Sequence, residues 1–190
     1  SAAVELVLDM EKNSCAIIKH TNAAGAANSP TVYESYINAL SGDPVSAFGG
    51  IVAFNGIIDL RTAEKLNEIF LEIICAFDFE ADAMELLLKK KNRRIIKIKK
   101  NKIDETYSVK SVPGGVIVQE TDKSVLDFEN IKVVTKQEFP EELKNDIKLA
   151  WTVCKHTKSN AIVYVKDGKV VGVGAGQMSR IDSAKIAALK

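Results

Sequence analysis

The chain has 190 residues, of which 46% are hydrophobic and 27% charged, with a formal net charge of +1. This is the composition of an ordinary folded domain, and it excludes charge-driven disorder and any global pull toward nucleic acid or an anionic membrane. No run reaches the roughly 18 apolar residues of a membrane span, and Ser1-Ala2-Ala3-Val4-Glu5-Leu6 is no signal peptide, so the cytoplasm is the expected compartment.

Cys15-Ala16-Ile17-Ile18 is a short continuous apolar run and predicts a buried strand. It delivers Lys19 and His20 to its carboxyl end, ahead of the small-residue stretch Asn22-Ala23-Ala24-Gly25, which reads as a loop. Neighbouring strand residues point to opposite faces, so the pair reaches a common substrate only if the chain bends there. Histidine suits proton transfer near neutral pH, and a lysine beside it can stabilise developing negative charge. A solvated strand end is the plainer reading of the same two residues.

Thr31 to Leu40 predicts a helix. Asp43-Pro44-Val45-Ser46-Ala47-Phe48-Gly49-Gly50 then leads into the strand Gly50–Phe54. Paired glycines allow positive φ or close approach of a ligand; a tight connection around a buried Phe48 is the alternative. A helix over Thr62–Phe70, a strand over Glu72–Ala76 and a helix over Glu80–Lys91 follow. In the basic stretch Lys89 to Lys102, Ile95, Ile96 and Ile98 alternate and no aromatic residue interleaves. This fits an edge strand with protective lysines better than a nucleic-acid site. The polar run Asn101 to Ser111 reads as a link between two subdomains, 1–104 and 105–190.

Gly115–Val118 and Ile131–Thr135 read as strands. Glu141–Cys154 reads as a helix with Leu143, Ile147, Ala150, Trp151 and Cys154 on one face. The Asp-Gly turn in Lys166-Asp167-Gly168-Lys169 predicts a hairpin of Ala161–Val165 with Val170–Val173. Gly172, Gly174 and Gly176 leave one face of that last strand bare. Ser179 and Asp182 are candidate caps for a helix over Ser183–Lys190, and Arg180 beside its N-terminus suits an anion. Strands alternating with helices predict an α/β layered fold with a mixed sheet. Cys15, Cys75 and Cys154 sit in apolar segments and read as buried free thiols. His20 and His156 lack companion ligands, so no metal is expected.

In their order, the segments Ile17 to Gly25, Asp43 to Asn55, and Lys158-Ser159-Asn160 with Gly176-Gln177-Met178-Ser179-Arg180 resemble the formyltransferase half of the AICAR transformylase/IMP cyclohydrolase family. Weaker echoes are Lys89-Lys90-Lys91-Asn92 and Gly114 to Gln119. The resemblance implies a cytidine-deaminase-like layered α/β/α fold with one subdomain complete and a second begun, without the deaminase zinc. It implies formyl transfer from the co-substrate 10-formyltetrahydrofolate to the 5-amino group of 5-aminoimidazole-4-carboxamide ribonucleotide (AICAR). Lys19 and His20 take the catalytic positions; Gly49, Glu72, Asn160 and Arg180 take substrate-binding ones. A homodimer is implied, its shared sites pairing the Lys19-His20 region of one chain with the Asn160-Arg180 region of the other. The family's cyclohydrolase domain and its closing Asp-Ala-Phe-Phe segment lie outside this sequence, which makes a nucleotide-binding fragment without turnover the rival reading. A zinc nucleoside deaminase shares the fold but needs ligands missing here. Two departures touch no catalytic group: Ala23-Ala24-Gly25 replaces a usual Pro-Cys-Gly or Ala-Cys-Gly, and Phe77 replaces a usual proline.

Overall fold

A computed structural model describes residues 2–99 and 107–189. In chain order its first elements are α1 (Ala2–Asp9), β1 (Cys15–Lys19), β2 (Asn22–Ala27), α2 (Val32–Gly42), α3 (Pro44–Ala47), β3 (Gly50–Phe54) and β4 (Ile57–Ile58). Next come α4 (Leu60–Leu66), β5 (Leu71–Ala76), β6 (Asp78–Phe79), α5 (Ala81–Leu88), β7 (Arg94–Lys97), β8 (Tyr107–Val112) and β9 (Gly115–Glu120). A 3-10 turn (Glu141–Leu143) leads into α6 (Lys144–Lys155), β10 (Ile162–Lys166), β11 (Lys169–Gly174) and α7 (Arg180–Ala188).

Seven strands form one mixed sheet in the order β10-β11-β2-β1-β3-β5-β7. β1 runs antiparallel to both β2 and β3, whereas β3, β5 and β7 are parallel. The central strands are buried on both faces, so alternate residues feed two cores. Cys15 and Ile17 join Val52, Phe54 and Ile74 under α2, α4 and α5, where Tyr36, Leu66 and Leu87 are buried. Ala16 and Ile18 join Ala53 and Cys75 under α1 and α6, where Leu6, Val7, Leu149 and Val153 are buried. The result is the layered α/β fold with a mixed sheet that the alternation predicts, with helices on both faces as the resemblance implies.

Local chemistry fixes the ends of these elements. Thr31 and Glu34 form a reciprocal capping box at the start of α2. Buried Asn55 donates to the carbonyls of Val7, Met10 and Glu11, and accepts from the Ser14 amide at 2.7 Å. One side chain thus satisfies the open end of α1 and ties it to β3.

Several expectations change. The helix over Thr62–Phe70 starts earlier and ends at Leu66, because Leu71 must enter β5. α1 carries no strong cap or long apolar stripe, and the sequence reading passes over it. Tyr107–Val112, inside the run read as a link, is a strand paired with Gly115–Glu120 in a separate, exposed hairpin. Residues 101–106 of that run, and Lys100 before it, lie outside the described residues. Ile131–Thr135 forms no strand, since no neighbouring strand meets it to complete a ladder. On α6 the sheet-facing stripe is Leu149 and Val153, while Trp151 is 49% exposed and Cys154 is also exposed. The stripe Leu143, Ile147, Ala150, Trp151 and Cys154 therefore does not mark the core face, which is set by Leu149 and Val153. β7 is one edge of the sheet, as the lysine-flanked alternation implies, and β10 is the other.

Candidate functional site

β1 and β2 are joined by two residues, not by a loop, and Asn22-Ala23-Ala24-Gly25 belongs to β2. Lys19 pairs with Asn22, while His20 (φ 48°) and Thr21 (φ 68°) between them both take left-handed backbone. Positive φ at both central positions marks a type I′ hairpin, which Asn, Asp and Gly normally fill. A β-branched threonine is a poor occupant of that region. This turn is the bend that Lys19 and His20 require to share a site, and both line one cavity.

The cavity holds about 290 Å³ and lies between the turn, the start of α3 and β11. Asn22, Asp43, Ser46 and Gly172 also line it. The bare glycine face of β11 lies under α7, where a Cβ on Gly172 or Gly174 would run into the Ala187 or Ser183 carbonyl oxygen, and β11 meets the cavity through Gly172, Val173 and Ala175. Asp43 caps α3 by accepting from the Ser46 amide at 3.0 Å. Asn22 Oδ1 is buried with no hydrogen-bond partner, and its Nδ2 lies 3.4 Å from the His20 carbonyl. An unpaired buried carbonyl of this kind is costly unless a ligand donor reaches it.

Lys19 Nζ donates to the Phe48 carbonyl at 2.8 Å and the Gly49 carbonyl at 3.0 Å. Gly49 sits at φ 68° and donates its amide to the Phe70 carbonyl at 2.8 Å. A Cβ on Gly49 would stand 2.8 Å from Lys19 Nζ, so a side chain there would displace the ammonium. Glycine at this position serves both the backbone angle and the lysine seat. Phe48, expected in the core, is instead 62% exposed, with its ring 5.6 Å from that of Phe70. Its carbonyl is turned inward to Lys19, and that leaves the ring outside.

Other sequence-predicted residues stand apart from the cavity wall. Glu72 is exposed on β5, immediately after the Leu71–Gly50 pair. Asn160 is spent on structure: its amide and Nδ2 both reach the Gln177 carbonyl at 3.0 Å, and Nδ2 reaches the Met178 carbonyl at 3.0 Å. Its own carbonyl accepts from Ser183 Oγ at 2.6 Å. Arg180 is exposed in the first turn of α7, which Ser179 caps. The site thus gathers Lys19, His20 and Gly49 and leaves Glu72, Asn160 and Arg180 elsewhere. Sequence reasoning passed over Asn22, whose signal was its place directly beyond the Lys-His turn. Burial pushes the Cys75 thiol up to about 11 and Cys15 well above the ordinary range, so neither is a nucleophile near neutral pH.

A family model described as the AICARFT/IMPCHase bienzyme matches residues 1–190. Among curated relatives, the bifunctional purine biosynthesis protein PurH of Thermoanaerobacter sp. (strain X514) is 48% identical over 181 residues, covering 95% of this chain and 35% of that protein. The protein of the same name from Bacillus cytotoxicus is 48% identical over 98% of this chain and 37% of its own length. That of Chlorobium phaeobacteroides (strain DSM 266) is 46% identical over 100% of this chain and 37% of its own. The chain spans about a third of the length of these relatives. Among the described residues no helix is long and apolar enough to cross a membrane.

Proposed function

This chain belongs to the AICARFT/IMPCHase bienzyme family, and on that footing we propose that it supplies the Lys-His part of a formyltransferase site. The reaction moves a formyl group from 10-formyltetrahydrofolate to the 5-amino group of AICAR, in purine biosynthesis in the cytoplasm. The observation that carries the reading is the left-handed His20-Thr21 turn, which puts Lys19 and His20 on one cavity.

The amine attacks the formyl carbon and gives up its proton to His20. The carbonyl oxygen becomes an oxyanion, and the ammonium of Lys19 faces it. A lysine has three N–H donors; two rest on the Phe48 and Gly49 carbonyls, which leaves one for substrate. Both seats are neutral carbonyls, so no carboxylate cancels the charge that the oxyanion needs. Collapse of the intermediate breaks the bond from the formyl carbon to the folate nitrogen, which leaves with a proton returned from His20. Asn22, which lines the same cavity, orients the substrate.

Asn160 and Arg180 contribute through a second copy, in a homodimer whose sites are shared between chains. That assignment accounts for their distance from the cavity wall within one chain. The division 1–104 and 105–190 separates the subdomain carrying the Lys-His turn from the one carrying Asn160 and Arg180. The test is formyl transfer by the full-length protein with His20→Ala and Lys19→Ala. Each should lower turnover by at least about a hundredfold with AICAR affinity retained, and unchanged turnover overturns the reading.

A second reading, ligand binding without turnover, is favoured by one observation: the Asn160 carboxamide is already engaged by the Gln177 and Met178 carbonyls. Single-turnover assays on this chain beside the full-length protein separate the two. Ligand binding without product in this chain, beside product from the full-length protein, would favour the second.

A further inference from the structure

The hairpin β10–β11 repeats β1–β2 residue for residue. Both have five pairs, and Ile17↔Gly25 corresponds to Tyr164↔Gly172. Both skip one residue at the same place, Ala24 in one and Val171 in the other. Both close on two left-handed residues: His20 and Thr21 at φ 48° and 68°, Asp167 and Gly168 at φ 53° and 72°. The two turns therefore present the same backbone donors.

In the second hairpin those donors are occupied. The Asp167 amide donates to Asp146 Oδ2 at 3.0 Å and the Gly168 amide to Asp146 Oδ1 at 2.7 Å. One carboxylate thus sits across two consecutive turn amides, a backbone nest for an anion. In the first hairpin, no acceptor among the described residues meets the amides of His20 or Thr21. Both residues are exposed. The counterpart of Asp146, by the shift of 147 that lays Asp167 on His20 (167 less 20), lies ahead of Ala2, the first described residue.

We propose that the His20–Thr21 turn is a carboxylate-binding nest, which takes one carboxylate across its two amides as the Asp167–Gly168 turn takes Asp146. The carboxylate comes either from a ligand of the neighbouring cavity or from an acidic side chain of the polypeptide ahead of α1. Either source clamps a turn whose own residues favour it poorly, and so fixes where the His20 ring stands. The inference rests on backbone geometry and holds whatever reaction the cavity supports.

The test follows the amide proton and nitrogen shifts of His20 and Thr21 while acetate is added, with chloride at matched ionic strength as the control. In this chain acetate should move both amides downfield and saturate, and chloride should not. Asp146→Ala provides an internal standard, because it opens the Asp167–Gly168 nest to the same probe. The full-length protein separates the sources. If a ligand supplies the carboxylate, acetate moves the two amides there as well. If the polypeptide supplies it, both amides are already downfield and acetate leaves them unmoved. The proposal is overturned if acetate fails to move His20 and Thr21 in this chain and both amides of the full-length protein keep their upfield, solvent-like positions. The wild-type titrations decide the matter even if Asp146→Ala fails to fold.

Discussion

The units α1–β1–β2–α2 and α6–β10–β11–α7 share a plan and differ in what they place at its most constrained points. Each has a helix, a bulged two-residue hairpin and a second helix capped by a hydroxyl, Thr31 in one and Ser179 in the other. Each packs a strand glycine under that second helix: a Cβ on Gly25 would stand 2.0 Å from the Ala39 carbonyl oxygen, and one on Gly172 would stand 2.0 Å from that of Ala187. The turn residues part company. The second unit uses Asp-Gly, the residues a type I′ turn favours, and the first uses His-Thr. A frame that can be closed cheaply is closed at a cost in stability where the turn borders the cavity, and backbone strain of this kind gathers at functional sites.

The glycines give the comparison its largest expected effect. Gly25 lies on a central strand beneath α2, which buries Val32, Ser35, Tyr36 and Ala39 and cannot withdraw. Gly25→Ala should therefore cost about 3 kcal/mol or more, a strong overpacking penalty. Helix α7 buries only Ser183 and Ala187 and can shift outward, so Gly172→Ala should cost about 1 kcal/mol. Urea denaturation of the two variants measures both. Equal losses would mean that the second unit is as tightly held as the first.

Exchanging the turn residues comes next. Thr21→Gly relieves a left-handed β-branched residue and should stabilise the protein by about 1 kcal/mol, whereas Gly168→Thr should destabilise it by about 1–2 kcal/mol. In the full-length protein Thr21→Gly should also lower formyl transfer while raising the thermal midpoint. A Thr21→Gly protein no more stable than the parent would show that the first turn carries no strain. Removing the carboxylate of the second turn is a smaller step: Asp146→Ala should cost about 1 kcal/mol by freeing two amides, again read from the urea midpoint.

The same contrast explains what could be read from sequence. The central strands were legible because Cys15–Ile18 and Gly50–Phe54 are apolar without interruption, and only a strand buried on both faces needs that. The β10–β11 hairpin was legible because Asp-Gly states its own turn. The β1–β2 hairpin was not: His-Thr is a poor turn sequence, and the alanines after it read as loop although they pair with β1. Lys19 and His20 could be suspected from their chemistry, but the bend that unites them is decided by tertiary pairing. Asn22, at the far side of that bend, was hidden for the same reason. Trp151 misled because α6 carries apolar residues on more than one face, and spacing alone does not say which face meets the sheet.

The smallest effect concerns the seam where the two units touch. Asp9 closes α1 and His156 follows α6, at positions 147 residues apart, the shift that relates the hairpins. Asp9 Oδ2 meets His156 Nε2 at 2.9 Å and Lys155 Nζ at 2.9 Å. Burial alone would raise the Asp9 carboxyl, but the hydrogen bonds from His156 and Lys155 outweigh it and hold the group below its ordinary 3.8. A carboxyl depressed in the folded state contributes stability above its unfolded value and loses that contribution as pH falls through the folded one. Asp9 should thus add to stability above about pH 4 and to acid sensitivity below it. The side chain is partly exposed, so Asp9→Asn should cost less than about 1 kcal/mol at pH 7 and flatten the acid limb of the stability profile. The same seam also buries Leu6 and Val7 beside Leu149 and Val153. If Asp9→Asn leaves both the midpoint and the acid limb unchanged, those apolar residues alone join the units, and the charged cluster is a surface feature of the joint.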